Sequence, residues 1–102
     1  MEKIMLDFTG CRSREELFTV LRAKLDWEEW MGDNLDALHD VLSGFAFRGD
    51  AYELRFASHY GDERAERTAQ GIEDVFMDTA REYGEFSVRA YRGGRVHSLE
   101  NA

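Results

Sequence analysis

The sequence predicts an α/β domain built on a parallel sheet, and two observations carry that expectation. Three stretches, KIMLDF, YELRFA and FSVRAY, alternate apolar with other side chains, as half-buried strands do. Between them lie segments whose apolar residues recur at helical spacing, and a parallel connection needs a crossover long enough for a helix. The order is therefore strand, helix, helix, strand, helical region, strand. With 102 residues, 43% of them hydrophobic and 13% aromatic, the chain has enough apolar surface for one modest core and no room for two.

Each element has a local signature. The first strand covers residues 3–8, with Ile4, Leu6 and Phe8 on one face, and Thr9-Gly10 ends it. Ser13 followed by Glu16 has the form of a capping box, and Leu17, Leu21 and Leu25, with Phe18 and Val20, continue a helix over 14–25. DWEEWMGDN then reads as a loop, with Gly32 as its flexible point and Asp33 or Asn34 as the next N-cap. A short second helix spans 35–43, and Gly44 stands where a left-handed C-terminal residue is wanted. FAFRGDA is a link, and the second strand covers 52–57.

SHYGDERAERTAQG is polar and holds at most a short irregular helix. The clearest helix is the last, where Ile72, Val75, Phe76, Thr79, Ala80 and Tyr83 share a face that Glu73, Asp74, Asp78 and Glu82 avoid, with Gly84 closing it. The third strand covers 86–91, and RGGRVHSLENA is a short extra turn or a frayed tail.

Composition narrows the function. The start, MEKIMLDFTGC, has no long apolar run behind a basic end, and no stretch is apolar enough to span a bilayer, so a cytoplasmic location is expected. Cys11 is the single cysteine, which excludes an intramolecular disulfide and a zinc site built from several cysteines; no cofactor is expected. The net charge of -8 disfavours nucleic acid and anionic membranes as partners and favours cationic proteins. That charge is concentrated: residues 26–50 hold seven acids against Arg48, and residues 71–85 hold five against Arg81. Arg89, Arg92 and Arg95 are too sparse for a nucleic-acid site.

The second helix carries an unexplained cost. Leu35, Leu38 and Leu42, with Val41, form its buried stripe and turn Asp36, His39, Asp40 and Ser43 outward. Asp36 and Asp40 are like charges four residues apart, a pairing that destabilises a helix by a few tenths of a kcal/mol. The helix dipole offsets Asp36 in the first turn but not Asp40 near the other end. As an acid and base pair, or with His39 as metal ligands, these residues fit poorly: consecutive positions point in different directions, no zinc motif accompanies them, and a convex helix does not bury a carboxylate. As a binding face they fit well, because carboxylates beside aromatic and small residues complement a cluster of Arg, Lys and protonated His.

Trp30-Met31-Gly32-Asp33-Asn34-Leu35-Asp36-Ala37-Leu38-His39-Asp40-Val41-Leu42-Ser43-Gly44-Phe45 resembles, without a gap, the signature of the barstar family of intracellular ribonuclease inhibitors. DVFMDTAREYG looks like that family's last helix. The resemblance implies a three-stranded parallel sheet packed against three to four helices, a domain over residues 1–91, and an extension, flexible or not, over 92–102. It also implies a non-enzymatic monomer that plugs the active site of a cationic, barnase-type ribonuclease as a 1:1 heterodimer. By motif position Asp40 takes the place of a substrate phosphate. Trp30, Asn34, Asp36, His39, Gly44, Phe45, Asp78 and Glu82 are the other expected contacts.

Two positions depart from the pattern. His39 stands where the family carries an aromatic, which is expected to weaken stacking or make binding depend on pH near neutrality, and Val41 replaces a cysteine. Two other readings remain: an immunity module for a different basic protein or toxin, and a small hydrolase using Asp36, His39 and Asp40. Among the remaining residues, Trp27 is either a binding anchor or core, and His59 and Tyr60 are expected to have no special role.

Overall fold

The alternating stretches fold as strands because their inward rows fill one apolar layer. The computed structural model describes residues 3–45, 50–84 and 86–102. Within them run β1 (Lys3–Asp7), α1 (Arg14–Lys24), α2 (Leu35–Phe45), β2 (Ala51–Phe56), α3 (Glu63–Tyr83), β3 (Ser87–Arg92) and β4 (Arg95–Glu100). The sheet order is β1-β2-β3-β4, with the first two pairings parallel and the last antiparallel. The expected α/β class holds. The expected three-stranded, wholly parallel sheet does not: it has four strands and is mixed. The link expected at 45–51 falls largely on residues 46–49, outside those described.

One sheet face carries the core. Leu6, Phe8, Tyr52, Leu54, Phe56, Val88 and Ala90 are buried there. Phe8 stacks on Phe56 at 4.9 Å, and Tyr52 meets Phe76 and Phe86 edge-on, each at 5.3 Å. The helices close over this layer with Leu17, Phe18 and Leu21, with Leu38 and Leu42, and with Ile72, Phe76 and Ala80. The other sheet face is open and mixed: Met5, Val96 and Leu99 are exposed on it, and Glu53 is held there by Lys3 at 3.0 Å and Arg55 at 2.6 Å. These bonds hold the Glu53 carboxyl below its ordinary range, that from Lys3 most strongly, against the opposing effect of desolvation.

Helix boundaries follow capping chemistry. Ser13 Oγ accepts from Glu16 N at 3.2 Å, while the Glu16 carboxylate reaches back to Arg12 N rather than to the cap itself. Asp62 caps α3 by accepting from Ala65 N, and Gly84 closes it in the left-handed conformation with φ 68°. Residues 63–71 of the polar stretch that looked irregular are thus the start of one 21-residue helix. Gly71 does not break it; a Cβ there would meet Leu35 Cδ1 at 2.5 Å, so its absence lets α2 close on α3.

The segment after Arg92 is a strand instead of a turn or tail. Gly93 and Gly94, at φ 56° and 82°, form the two-residue hairpin turn that leads into β4. A register shift leaves His97 as the extra residue, so that both His97 Nδ1 (2.6 Å) and Ser98 Oγ (2.5 Å) reach the buried Glu73 carboxylate of α3. Asn101 Nδ2 donates to the Ala80 carbonyl at 2.6 Å, tying the end of the chain to the last turns of α3. Tyr60, expected to be incidental, is buried: its hydroxyl donates to the Phe8 carbonyl at 2.9 Å and accepts from Ala57 N at 3.2 Å.

Candidate functional site

The loop before α2 is pinned at two points. The Arg22 guanidinium pairs with the Asp33 carboxylate, and Arg14 donates to the Asp33 carbonyl. With Asp33 so engaged, Asn34 is the N-cap, its Oδ1 accepting from Ala37 N at 2.8 Å. This settles the choice between the two residues. Trp27 packs edge-on against Phe18 at 6.1 Å, as a core contact, and leaves Trp30 as the exposed aromatic of the loop, at 81%.

Burial of Leu38, Val41 and Leu42 against the core directs the opposite face of α2 to solvent. Asp36 and Asp40 are exposed there and His39 is half-exposed. Among the described residues neither aspartate has a Lys or Arg partner. The helix runs on through Phe45, so Gly44 lies inside its last turn instead of closing it in the left-handed conformation. Phe45 ends the helix; its side chain lies outside the described set.

The close approach at Gly71 brings α3 to the same surface. His39 is nearer its acidic neighbours than consecutive helix positions suggest: Nδ1 lies 3.9 Å from Asp40, and Nε2 lies 3.9 Å from Glu82. Asp78 is also exposed on α3 but is paired with Arg81 at 3.3 Å, and Arg81 in turn reaches Glu100 of β4 at 3.4 Å. The structure therefore groups Asp40, His39 and Glu82, and gives Asp78 its own cation.

Trp30, Asp40 and Gly44 also border an open groove of about 230 Å³ between the loop and α2, together with Asp26 and Glu28. Sequence reasoning counted those two acids in the charge of the loop without placing them at the site. Their spacing around Trp27 was the available signal, since a core Trp27 turns both flanking side chains the other way. A groove edged by three carboxylates and an exposed indole can receive a guanidinium or ammonium group, by ion pairing at the rim and stacking on the ring.

Among the described residues no group of three or more His, Cys, Asp and Glu side chains is placed to hold a metal ion. Cys11 is half-buried in the loop after β1, where burial, with Glu16 and Asp7 adding to it, pushes its thiol up to about 11. No helix among the described residues is long and apolar enough to cross a membrane.

A family model described as Barstar (barnase inhibitor) covers residues 1–92, which ends at the last residue of β3. No curated protein matches the chain.

Proposed function

Since the chain belongs to the barstar family, we propose that it is an intracellular inhibitor that blocks the active site of a cationic, barnase-type ribonuclease with α2, the loop before it and the end of α3. The observation that carries this reading is the uncompensated acid on α2: Asp36 and Asp40 are solvent-exposed, four residues apart and without a Lys or Arg partner among the described residues, His39 alone standing 3.9 Å from Asp40. A helix that bears this cost alone recovers it when a cationic cleft closes over it.

Asp40 stands in for a substrate phosphate at the centre of the contact. Trp30 and Gly44 flank it across the groove, and Asp36 and Asn34 extend the contact along α2. Glu82 and Asp78 supply the second acidic edge, His39 lies between the helices, and Phe45 follows Gly44 at the rim. The binding unit is the domain of residues 1–91 with β4 completing its sheet, acting as a cytoplasmic monomer in a 1:1 complex.

The experiment is an inhibition assay of the purified protein against a panel of barnase-type ribonucleases, with Asp40→Ala beside the wild type. Potent inhibition by the wild type, weakened about a hundredfold or more in Asp40→Ala, is expected, because the variant leaves a buried cation of the enzyme unpaired. Inhibition of no member of the panel would favour an immunity module for a different basic protein, and turnover of RNA by the isolated chain would favour the hydrolase reading.

A further inference from the structure

The first turns of all three helices meet at one place. Arg14 is the first residue of α1, Leu35 the first of α2 and Arg64 the second of α3. With Phe18, Arg67 and Thr68 they line an open cavity of about 290 Å³, with Arg64 and Arg67 exposed at its rim. It shares no residue with the groove beside Trp30. In a chain of net charge -8, this cavity is edged by three guanidinium groups and no carboxylate.

Stability does not account for that arrangement. The N-terminal end of a helix bears partial positive charge, so acids are favoured there and cations are not. Of the acids that neighbour the cluster in sequence, Glu15 and Asp36 do not line the cavity, and three others are engaged elsewhere. Asp62 caps Ala65 N, and Glu66 accepts from Tyr60 N at 2.6 Å and pairs with Arg92 at 3.2 Å. The Asp33 carboxylate is taken by Arg22. Glu63 lies 3.9 Å from Arg67 in an exposed pair, which contributes little. Among the described residues Arg64 has no ion pair, while Arg14 is fixed 4.7 Å above the Phe18 ring and by its bond to the Asp33 carbonyl.

We propose that this cavity binds the phosphate group of a small phosphate monoester. A dianion with three terminal oxygens can engage three guanidinium forks at once, and the converging helix N-termini add a field of the same sign. A phosphodiester offers one charge and two free oxygens, a poorer match. Leu35 and the edge of Phe18 provide an apolar wall for the organic remainder of the ligand. The acidic surface of the rest of the protein opposes the approach of an anion only within about a Debye length, roughly 8 Å at physiological ionic strength.

The test is an NMR titration of the full chain, at constant ionic strength, with inorganic phosphate, with adenosine monophosphate and with a dinucleotide that lacks a terminal phosphate. Saturable shifts confined to the signals of Arg14, Arg64, Arg67 and Thr68 are expected with the first two probes. Arg64→Gln/Arg67→Gln should weaken them at least about tenfold. The free double variant should melt no lower than the wild type, because it loses charges the helix dipole opposes. Unsaturable shifts spread over the surface, or shifts unchanged in the double variant, would overturn the proposal. So would a dinucleotide that binds as tightly as the monoester, which would point to nucleic acid instead. The two arginines lie outside the acidic face, so this result is independent of whether the chain inhibits a ribonuclease.

Discussion

His39 of α2 and Glu82 of α3 face each other across the helix interface, with the imidazole Nε2 3.9 Å from the carboxylate and Nδ1 equally far from Asp40. One of the two positions that depart from the family pattern therefore sits between two of the acids that the proposed partner would contact. Whatever charge it carries is felt by both of them.

A permanent cation at that position should be costly for binding. His39→Lys places an ammonium between Asp40 and Glu82, where it competes with the basic groups of a ribonuclease, and a drop in affinity of about tenfold or more is expected. His39→Gln, neutral and of similar reach, should stay within a few-fold of the wild type. Titration calorimetry of both variants against the inhibited enzyme checks this; equal affinities for the two would show that His39 lies outside the contact.

The buried carboxylate of Glu73 should matter to stability through β4. It is the shared acceptor of His97 and Ser98 and lies 3.6 Å from Arg92. Glu73→Ala removes the shared acceptor of His97 and Ser98 and leaves Arg92 with Glu66 alone, and a loss of about 2 kcal/mol is expected from chemical denaturation. Protection of the β4 amides from hydrogen exchange should fall more than that of β1. Uniform loss across the sheet would mean that the strand is not docked through this residue.

Acid should weaken the fold partly through the open face of the sheet. Lys3 and Arg55 lower the Glu53 carboxyl, and Thr9 lowers that of Asp7. A carboxyl lowered in the folded state contributes stability above its unfolded value, about 4 for these residue types, and that contribution fades as pH falls through the folded value. Glu53→Gln should accordingly be less stable than the wild type at pH 7 and should show a shallower decline between about pH 5 and pH 2. Parallel stability curves for the two proteins would contradict this assignment.

How far the sequence went depended on whether local chemistry or tertiary contact decides. Alternation placed the three parallel strands within a residue of their observed ends, and Ser13 and Gly84 mark helix limits by bonds within their own turns. The first half of α3 was illegible because its apolar stripe there is made of Ala65 and Ala69, too small to show periodicity, and because Gly71 reads as a break until Leu35 is seen against it. β4 was missed although its hairpin is written in Gly93-Gly94. Its alternation is interrupted by the extra residue, His97, which only Glu73 on a distant helix explains. At the site, periodicity exposed Asp36 and Asp40, whereas the approach of Glu82 to His39 and the place of Asp26 and Glu28 beside Trp30 depend on packing.

The central claim, that the acidic face of α2 occupies the active site of a ribonuclease, is tested most directly by competition. The apparent affinity of the chain for a barnase-type ribonuclease that it inhibits is measured at increasing concentrations of a mononucleotide that fills the active site. The account predicts affinity falling in proportion to nucleotide occupancy for the wild type. It also predicts weak binding by Asp40→Ala under every condition. An affinity independent of the nucleotide would contradict it, because the inhibitor and the substrate phosphate would then occupy different places.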